Sequence, residues 1–261
     1  MIKSLNTAAT GMQAQQMNMD VIANNISNTS TNGFKKARAE FEDLLYQNIK
    51  EPGAATGLNA VAPTGVQVGL GVKTGGVQRD FSQGSIKTTN RDLDINILGT
   101  GFFQVSRPDG TTAYTRNGEF HMDPNGRIVD MNGNPMQPEI TVPPDAVKVL
   151  VSHSGEVSYQ TQESAVPQTI GQIELASFVN PTGLKALGMN LFIATPASGD
   201  PNVGNPGTGA VGAVAQGEIE TSNVNIVEEM VNMITTQRAY ETNSKVIQAS
   251  DQMLQALTNL R

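Results

Sequence analysis

The sequence predicts an α+β chain. Its two ends are helices paired as a coiled-coil layer, and between them sit an all-β domain and a long β-ribbon extension. Three observations predict this. Leu5, Met12, Met19 and Ile26 recur seven apart near the N-terminus, with Ala8 and Ile22 between them. Ile226, Met233, Tyr240, Ile247 and Leu254 recur seven apart near the C-terminus, flanked by Met230 and Leu257. The long stretch between them is rich in Gly and in turn residues and alternates with period two. A seven-residue apolar repeat marks helices that pair along a seam.

The N-terminal helix is expected over residues 4–28. Ser4 can cap its start, and Asn28-Thr29-Ser30-Thr31-Asn32-Gly33 ends it with turn chemistry. Its length is roughly 37 Å at the rise of an α-helix. From Met1 to Phe34 only Lys3 and Asp20 are charged. A solvated helix face normally carries many charges. This one instead offers Gln13, Gln15, Gln16, Asn18, Asn24 and Asn25. Two readings fit: a helix half-buried in its own domain, or a helix buried among copies of itself.

The C-terminal helix is expected over 225–261, roughly 54 Å long. Asn225 and Glu228 have the spacing of a capping box, Glu228 and Glu229 suit the positive helix start, and Arg261 suits the other end. Val246, Met253 and Leu260 form a second apolar row beside the first. The stripe is wider than a two-helix seam needs, which points to more than one packing partner.

The middle divides into three. Residues 46–76 read as an extended ribbon in which Val66, Val68, Leu70 and Val72 alternate with Gln67, Gly69 and Gly71 about a Pro63-Thr64-Gly65 turn. A lone hairpin is marginal in water, so the ribbon needs its own domain or a neighbour to lie on. Residues 77–195 read as a β-rich domain. In it Leu93, Ile95 and Ile97 alternate with Asp94 and Asn96, and Asn117-Gly118, Asn125-Gly126 and Asn132-Gly133 mark turns. Strands are expected at Val147–Val151 and at Ile170–Phe178. Residues 196–212 read as a Gly/Pro-rich return linker. The helical domain is then 1–45 with 213–261.

The chain has 261 residues, 38% hydrophobic and 5% aromatic with no Trp, and a formal charge of −7. Its length allows one large or two modest domains. An acidic chain without a basic run is a poor nucleic-acid binder. No apolar run reaches the length of a membrane span. The opening MIKSLNTAATGM has no apolar h-region, so no secretory signal peptide is expected. Without Cys there is no disulfide framework.

Catalytic and ligand motifs are sparse. His121 and His153 have no metal spacing and read as surface or strand residues. Asp92-Leu93-Asp94-Ile95-Asn96 starts like a calcium loop, but Ile97 and Phe103 stand where its Gly and Glu belong. Gly207 to Gly212 spells GxGxxG without a preceding strand or a βαβ unit. No catalytic, cofactor-binding or metal residue is assigned, and no cofactor is expected. The competing class is a secreted or periplasmic enzyme with a β core and helical termini.

Four segments resemble one family. Val21-Ile22-Ala23-Asn24-Asn25-Ile26-Ser27-Asn28-Thr29 through Gly33-Phe34-Lys35 is similar to the N-terminal signature of bacterial flagellar rod and hook proteins. Gly99-Thr100-Gly101-Phe102-Phe103 and Tyr114-Thr115-Arg116-Asn117-Gly118-Glu119-Phe120 resemble that family's middle motifs. Ser222-Asn223-Val224-Asn225 through Gln237-Arg238-Ala239-Tyr240-Glu241 resembles its C-terminal signature. Within the family, the Tyr46–Gly76 insertion and the lack of an extra outer domain resemble distal-rod members rather than hook or proximal-rod members. The resemblance implies a structural subunit of a rigid hollow drive shaft that crosses the periplasm as a helical homopolymer. Other rod proteins, the hook protein, the P- and L-ring proteins and the flagellar export apparatus would be its partners. It would neither bind nucleic acid nor insert into a membrane. The expected subunit interface is Leu5, Met12, Met19, Ile22, Ile26, Ile226, Met230, Met233, Tyr240, Ile247, Leu254 and Leu257. The expected bracing residues are Val66, Val68, Leu70 and Val72.

Overall fold

A computed structural model of the chain describes residues 2–259 apart from 54, 58, 59, 62, 163–165 and 210. The side chains of Ile2 and of residues 54–62 and 257–259 also lie outside what is described. The chain forms two units. The first combines residues 1–27, 37–78 and 225–261; the second combines 28–36 and 79–224.

In the first unit, α1 (Ile2–Ser27) pairs with α2 (Ile226–Asn259). The pair is antiparallel: Asn18 meets Thr236, and seven residues up α1 Asn25 meets Glu229, seven residues down α2. α1 begins at Ile2, so Ser4 lies within its first turn rather than capping it. Asn225 does cap α2, its Oδ1 accepting the Val227 amide at 3.1 Å. Arg261 falls outside the described residues.

The same unit holds the ribbon, which is longer than the alternating pattern alone indicates. Strand Ala37–Asp43 pairs with Val72–Arg79, Tyr46–Lys50 with Val66–Gly69, and Ala55–Gly57 with Ala60–Val61. The Pro63-Thr64-Gly65 segment is therefore not the tip, because the chain has already turned back before it. Leu45, Tyr46, Ile49, Val66, Val68 and Leu70 are all exposed, whichever way they point.

The second unit is antiparallel β. Its largest sheet runs in the order Lys185–Gly188, Leu191–Ile193, Thr112–Thr115, Phe102–Ser106, Leu175–Ser177, Asn202–Gly204, with Met136–Gln137 also on Phe102–Ser106. Ala146–Val151, Glu156–Thr161 and Gln168–Gln172 form a three-stranded sheet. Ile95, Ile97, Phe103, Val105, Phe120, Ile128, Ile173 and Leu175 are sealed in the core. Phe81, Phe102, Tyr114, Phe178 and Phe192 stack edge-to-face beside it. The few aromatics are thus concentrated where a core must stand by itself.

Four expectations change here. Ile170–Phe178 is two strands in different sheets, because the chain breaks after Gln172 to cross from one to the other. Residues 196–212 include the strand Asn202–Gly204, which edges the large sheet. Ala213–Gln216 and Glu218–Glu220 are strands of this unit, paired with Ile95–Leu98 and Ile86–Thr88. Asn125-Gly126 and Asn132-Gly133 are turns, closed by bonds from the Gly126 and Gly133 amides to Asp123 and Asp130. Asn117-Gly118 is instead a close approach: a Cβ on Gly118 would fall 1.7 Å from the Ile95 carbonyl oxygen. Strand Ile95–Leu98 is buried on both faces, since Asp94 and Asn96 are as enclosed as Ile95 and Ile97.

Candidate functional site

The second unit is closed by a buried charge cluster drawn from three distant segments. Glu220 Oε1 accepts from Lys35 Nζ at 2.6 Å and from the Gly84 amide at 2.7 Å. Its Oε2 accepts from Arg116 Nε at 3.0 Å and Nη2 at 2.9 Å. All three side chains are at most 3% exposed. Two cations share one carboxylate, and backbone carbonyls supply the remaining negative ends. Ser82 O accepts from Lys35, and Gly99 O and Gly101 O accept from Arg116. Burial pushes the Lys35 ammonium below the usual lysine range, against the pull of Glu220. Burial likewise lowers Arg116.

Asparagines complete the closure. Asn32 Nδ2 donates to Glu119 at 2.8 Å, and Asn190 Nδ2 donates to Asn32 O at 2.9 Å. Asn223 Oδ1 accepts the Lys36 amide at 2.7 Å while its Nδ2 donates to Asp80 O at 2.9 Å. The four motif segments are therefore mostly a structural clasp. Sequence reasoning found the segments and missed the cluster. The available signal was a Lys, an Arg and a Glu set among apolar and turn residues.

In the helical unit, Asn25 lies at the centre of the N-terminal motif. It exchanges two hydrogen bonds with the backbone of Ala37, at 2.8 and 2.9 Å, and donates to Glu229 at 3.3 Å. Among the expected interface residues, Ile22 is buried, and Leu5, Met12, Met19, Ile26, Met233, Ile247 and Leu254 are half-buried. Ile226, Met230 and Tyr240 are exposed. The Leu257 side chain lies outside the described residues. Besides Ile22, the residues buried most completely in the pair are Ala8, Ala14, Asn25, Glu229, Thr236 and Ser250. Much of the apolar stripe on α2 thus faces outward. Val227 is 70% exposed and Val231 54%, with Ile226, Met230 and Ile234 beside them. A patch of this kind on a helix marks an interaction surface. Of the bracing set, Val66, Val68 and Leu70 are exposed and Val72 is half-buried.

Chemistry has little to work with. Among the described residues no group of three or more His, Asp and Glu could hold a metal ion. One cavity of about 320 Å³ is lined by Phe81, Phe102, Arg116, Phe178 and Val179. Its charged group, Arg116, is already engaged by Glu220 and two carbonyls. No helix among the described residues is long and apolar enough to cross a membrane.

A paired set of end helices, a clasped β unit and uncovered apolar faces define a subunit built to pack against others. Comparison with known proteins gives the class. Residues 5–35 match the profile described as flagella basal body rod protein, 96–159 that of the flagellar hook protein FlgE/F/G D1 domain, and 215–260 that of the flagellar basal body rod FlgEFG protein C-terminal region. The flagellar basal-body rod protein FlgG of Buchnera aphidicola subsp. Schizaphis graminum is 49% identical over the full length of both chains. That of Caulobacter vibrioides is 48% identical, again over both full lengths. The flagellar hook protein FlgE of Escherichia coli is 25% identical over an alignment of 419 residues. The chain belongs to the flagellar basal-body rod and hook family. Within it the chain stands with the FlgG rod proteins, structural components of the flagellar basal body, and further from the hook protein.

Proposed function

We propose that the chain is the distal-rod subunit of the bacterial flagellum, polymerising into a rigid hollow shaft that carries torque from motor to hook. α1 and α2 form the inner layer of the tube and the β unit forms the outer one. The Ala37–Arg79 ribbon braces neighbouring subunits through Val66, Val68, Leu70 and Val72. The chain is not an enzyme. Its partners are copies of itself, other rod proteins, the hook protein, the P- and L-ring proteins and the export apparatus that delivers it to the periplasm. The observation that carries this reading is the apolar face of α2 left uncovered in a single chain.

Val227→Asp/Val231→Asp tests it. Both side chains are mostly exposed, so the subunit should keep its helix content and unfolding midpoint. The charges would sit in a dry interface at a cost of several kcal/mol per subunit. Electron microscopy of basal bodies from cells carrying the variant should show no distal rod. Normal rods would end the assignment of this face to subunit packing.

A further inference from the structure

We propose that a polar ladder along the α1–α2 seam sets the register in which the two helices pair, while the apolar rows supply adhesion without choosing a register. Three rungs are visible. Asn25 Nδ2 donates to Glu229 Oε2 at 3.3 Å. Asn18 Nδ2 donates to Thr236 Oγ1 at 3.0 Å. Gly11 faces Asn243, whose Nδ2 lies 2.9 Å from where a Gly11 Cβ would stand. Each step of seven down α1 meets a step of seven up α2. One more step in the same register sets Ser4 opposite Ser250, which is 2% exposed.

The apolar rows cannot do this work. Leu5, Met12, Met19 and Ile26 repeat every seven residues, as do Met233, Tyr240, Ile247 and Leu254. A slip of one heptad lays each apolar row on an equivalent row, so burial barely distinguishes the two pairings. The ladder repeats only in part: on α1 Asn18 and Asn25 are alike but Ser4 and Gly11 differ from them, and on α2 Ser250, Asn243, Thr236 and Glu229 are all different. A slip in one direction carries Glu229 past the end of α1 and away from Asn25. A slip in the other leaves Asn18 opposite Glu229 but sets Asn25 beyond the start of α2, so one rung is lost. Either slip also takes the Asn243 amide out of the gap that Gly11 leaves. Buried polar residues in an otherwise apolar seam are a known means of fixing coiled-coil register. Here the consequence is geometric. One heptad is about 10 Å of helix, enough to carry the Ile226–Ile234 face out of line with whatever it packs on.

The test is cross-linking, and the chain has no native Cys to interfere. Ser4→Cys/Ser250→Cys reports the observed register, and Ser4→Cys/Leu257→Cys reports the one-heptad slip that carries Glu229 past the end of α1; neither pair touches the three visible rungs. Both pairs are placed in the full chain with its ladder, and in a second chain carrying Asn18→Leu, Asn25→Leu, Glu229→Leu and Thr236→Leu. Dilute protein is treated with a short-arm bismaleimide, and the intramolecular product is followed by gel mobility. With the ladder, the in-register pair should link about tenfold faster or more. With the apolar seam, the two rates should converge while the helical circular dichroism signal is kept. A milder chain, Glu229→Gln, retains an acceptor for Asn25 and should retain the preference. Equal rates in the native ladder would overturn the proposal, and so would an undiminished preference in the apolar seam. The measurement is independent of polymerisation. A chain that forms no rods but keeps the ratio defeats the rod reading alone.

Discussion

Glu220 joins three distant segments of the β unit through one buried carboxylate. It is the one anionic partner that Lys35 and Arg116 share, where none of the three can reach water. A buried ion pair adds little stability relative to an apolar equivalent, but removing one member strands the others. Glu220→Gln leaves two buried cations facing a neutral amide. It should lower unfolding stability by about 3–5 kcal/mol, read from urea titrations followed by circular dichroism. A loss below about 1 kcal/mol would mean that the surrounding carbonyls hold the cations adequately. The same residue shows what sequence reading reaches. Glu-Ile-Glu before the C-terminal motif is visible as text, but that its second Glu lies between two cations more than a hundred residues away is a property of the closed chain.

The two exposed elements, α2 and the ribbon, are regular structures that a single chain does not finish covering. Helices gain most of their stability from packing of an apolar face, and a two-stranded ribbon has little of its own. Leu45, Tyr46 and Ile49 on one arm of the ribbon and Val66, Val68 and Leu70 on the other are open to solvent. If the ribbon braces the shaft, deleting residues 52–72 should leave the subunit able to polymerise but make rods that curve or bend. Electron micrographs of isolated rods measure this directly, and straight rods of unchanged bending stiffness would remove the bracing role. The period-two pattern at 66–72 located one arm of this element. Its full extent from Ala37 was missed although Ala37, Ala39 and Phe41 alternate with Arg38, Glu40 and Glu42, because alanine and glutamate are poor strand formers and mute the signal.

For the molecule as a whole, the division into units predicts how it comes apart. Residues 28–36 belong with the β unit although they follow α1 directly. Lys35 ties them to Glu220, and the Gly33 amide donates to the Glu220 carbonyl at 2.8 Å. Limited proteolysis of dilute protein should cut α1, α2 and the ribbon first. The surviving core should contain residues 79–224, with the 28–36 peptide still bound after the ribbon is nicked. Mass spectrometry under non-denaturing conditions would see the two pieces together. Loss of the 28–36 peptide, or resistance of the whole chain, would contradict this order of stability.

The sequence by itself determined the α+β class, the two end helices, the β middle and the family, because each of these is written in local periodicity or in contiguous motifs. Seven-residue spacing implies a seam, alternation implies a strand, and Asn125-Gly126 implies a turn without reference to distant residues. Only the tertiary structure decided which face of α2 meets α1, that this face is lined by Glu229, Thr236, Asn243 and Ser250 rather than by the apolar row alone, and that Lys35, Arg116 and Glu220 meet. Those outcomes depend on pairings between residues far apart in the chain. An apolar stripe says that a helix will be covered, but not by what. A charge in a motif says nothing of its counter-charge until the chain has closed around both.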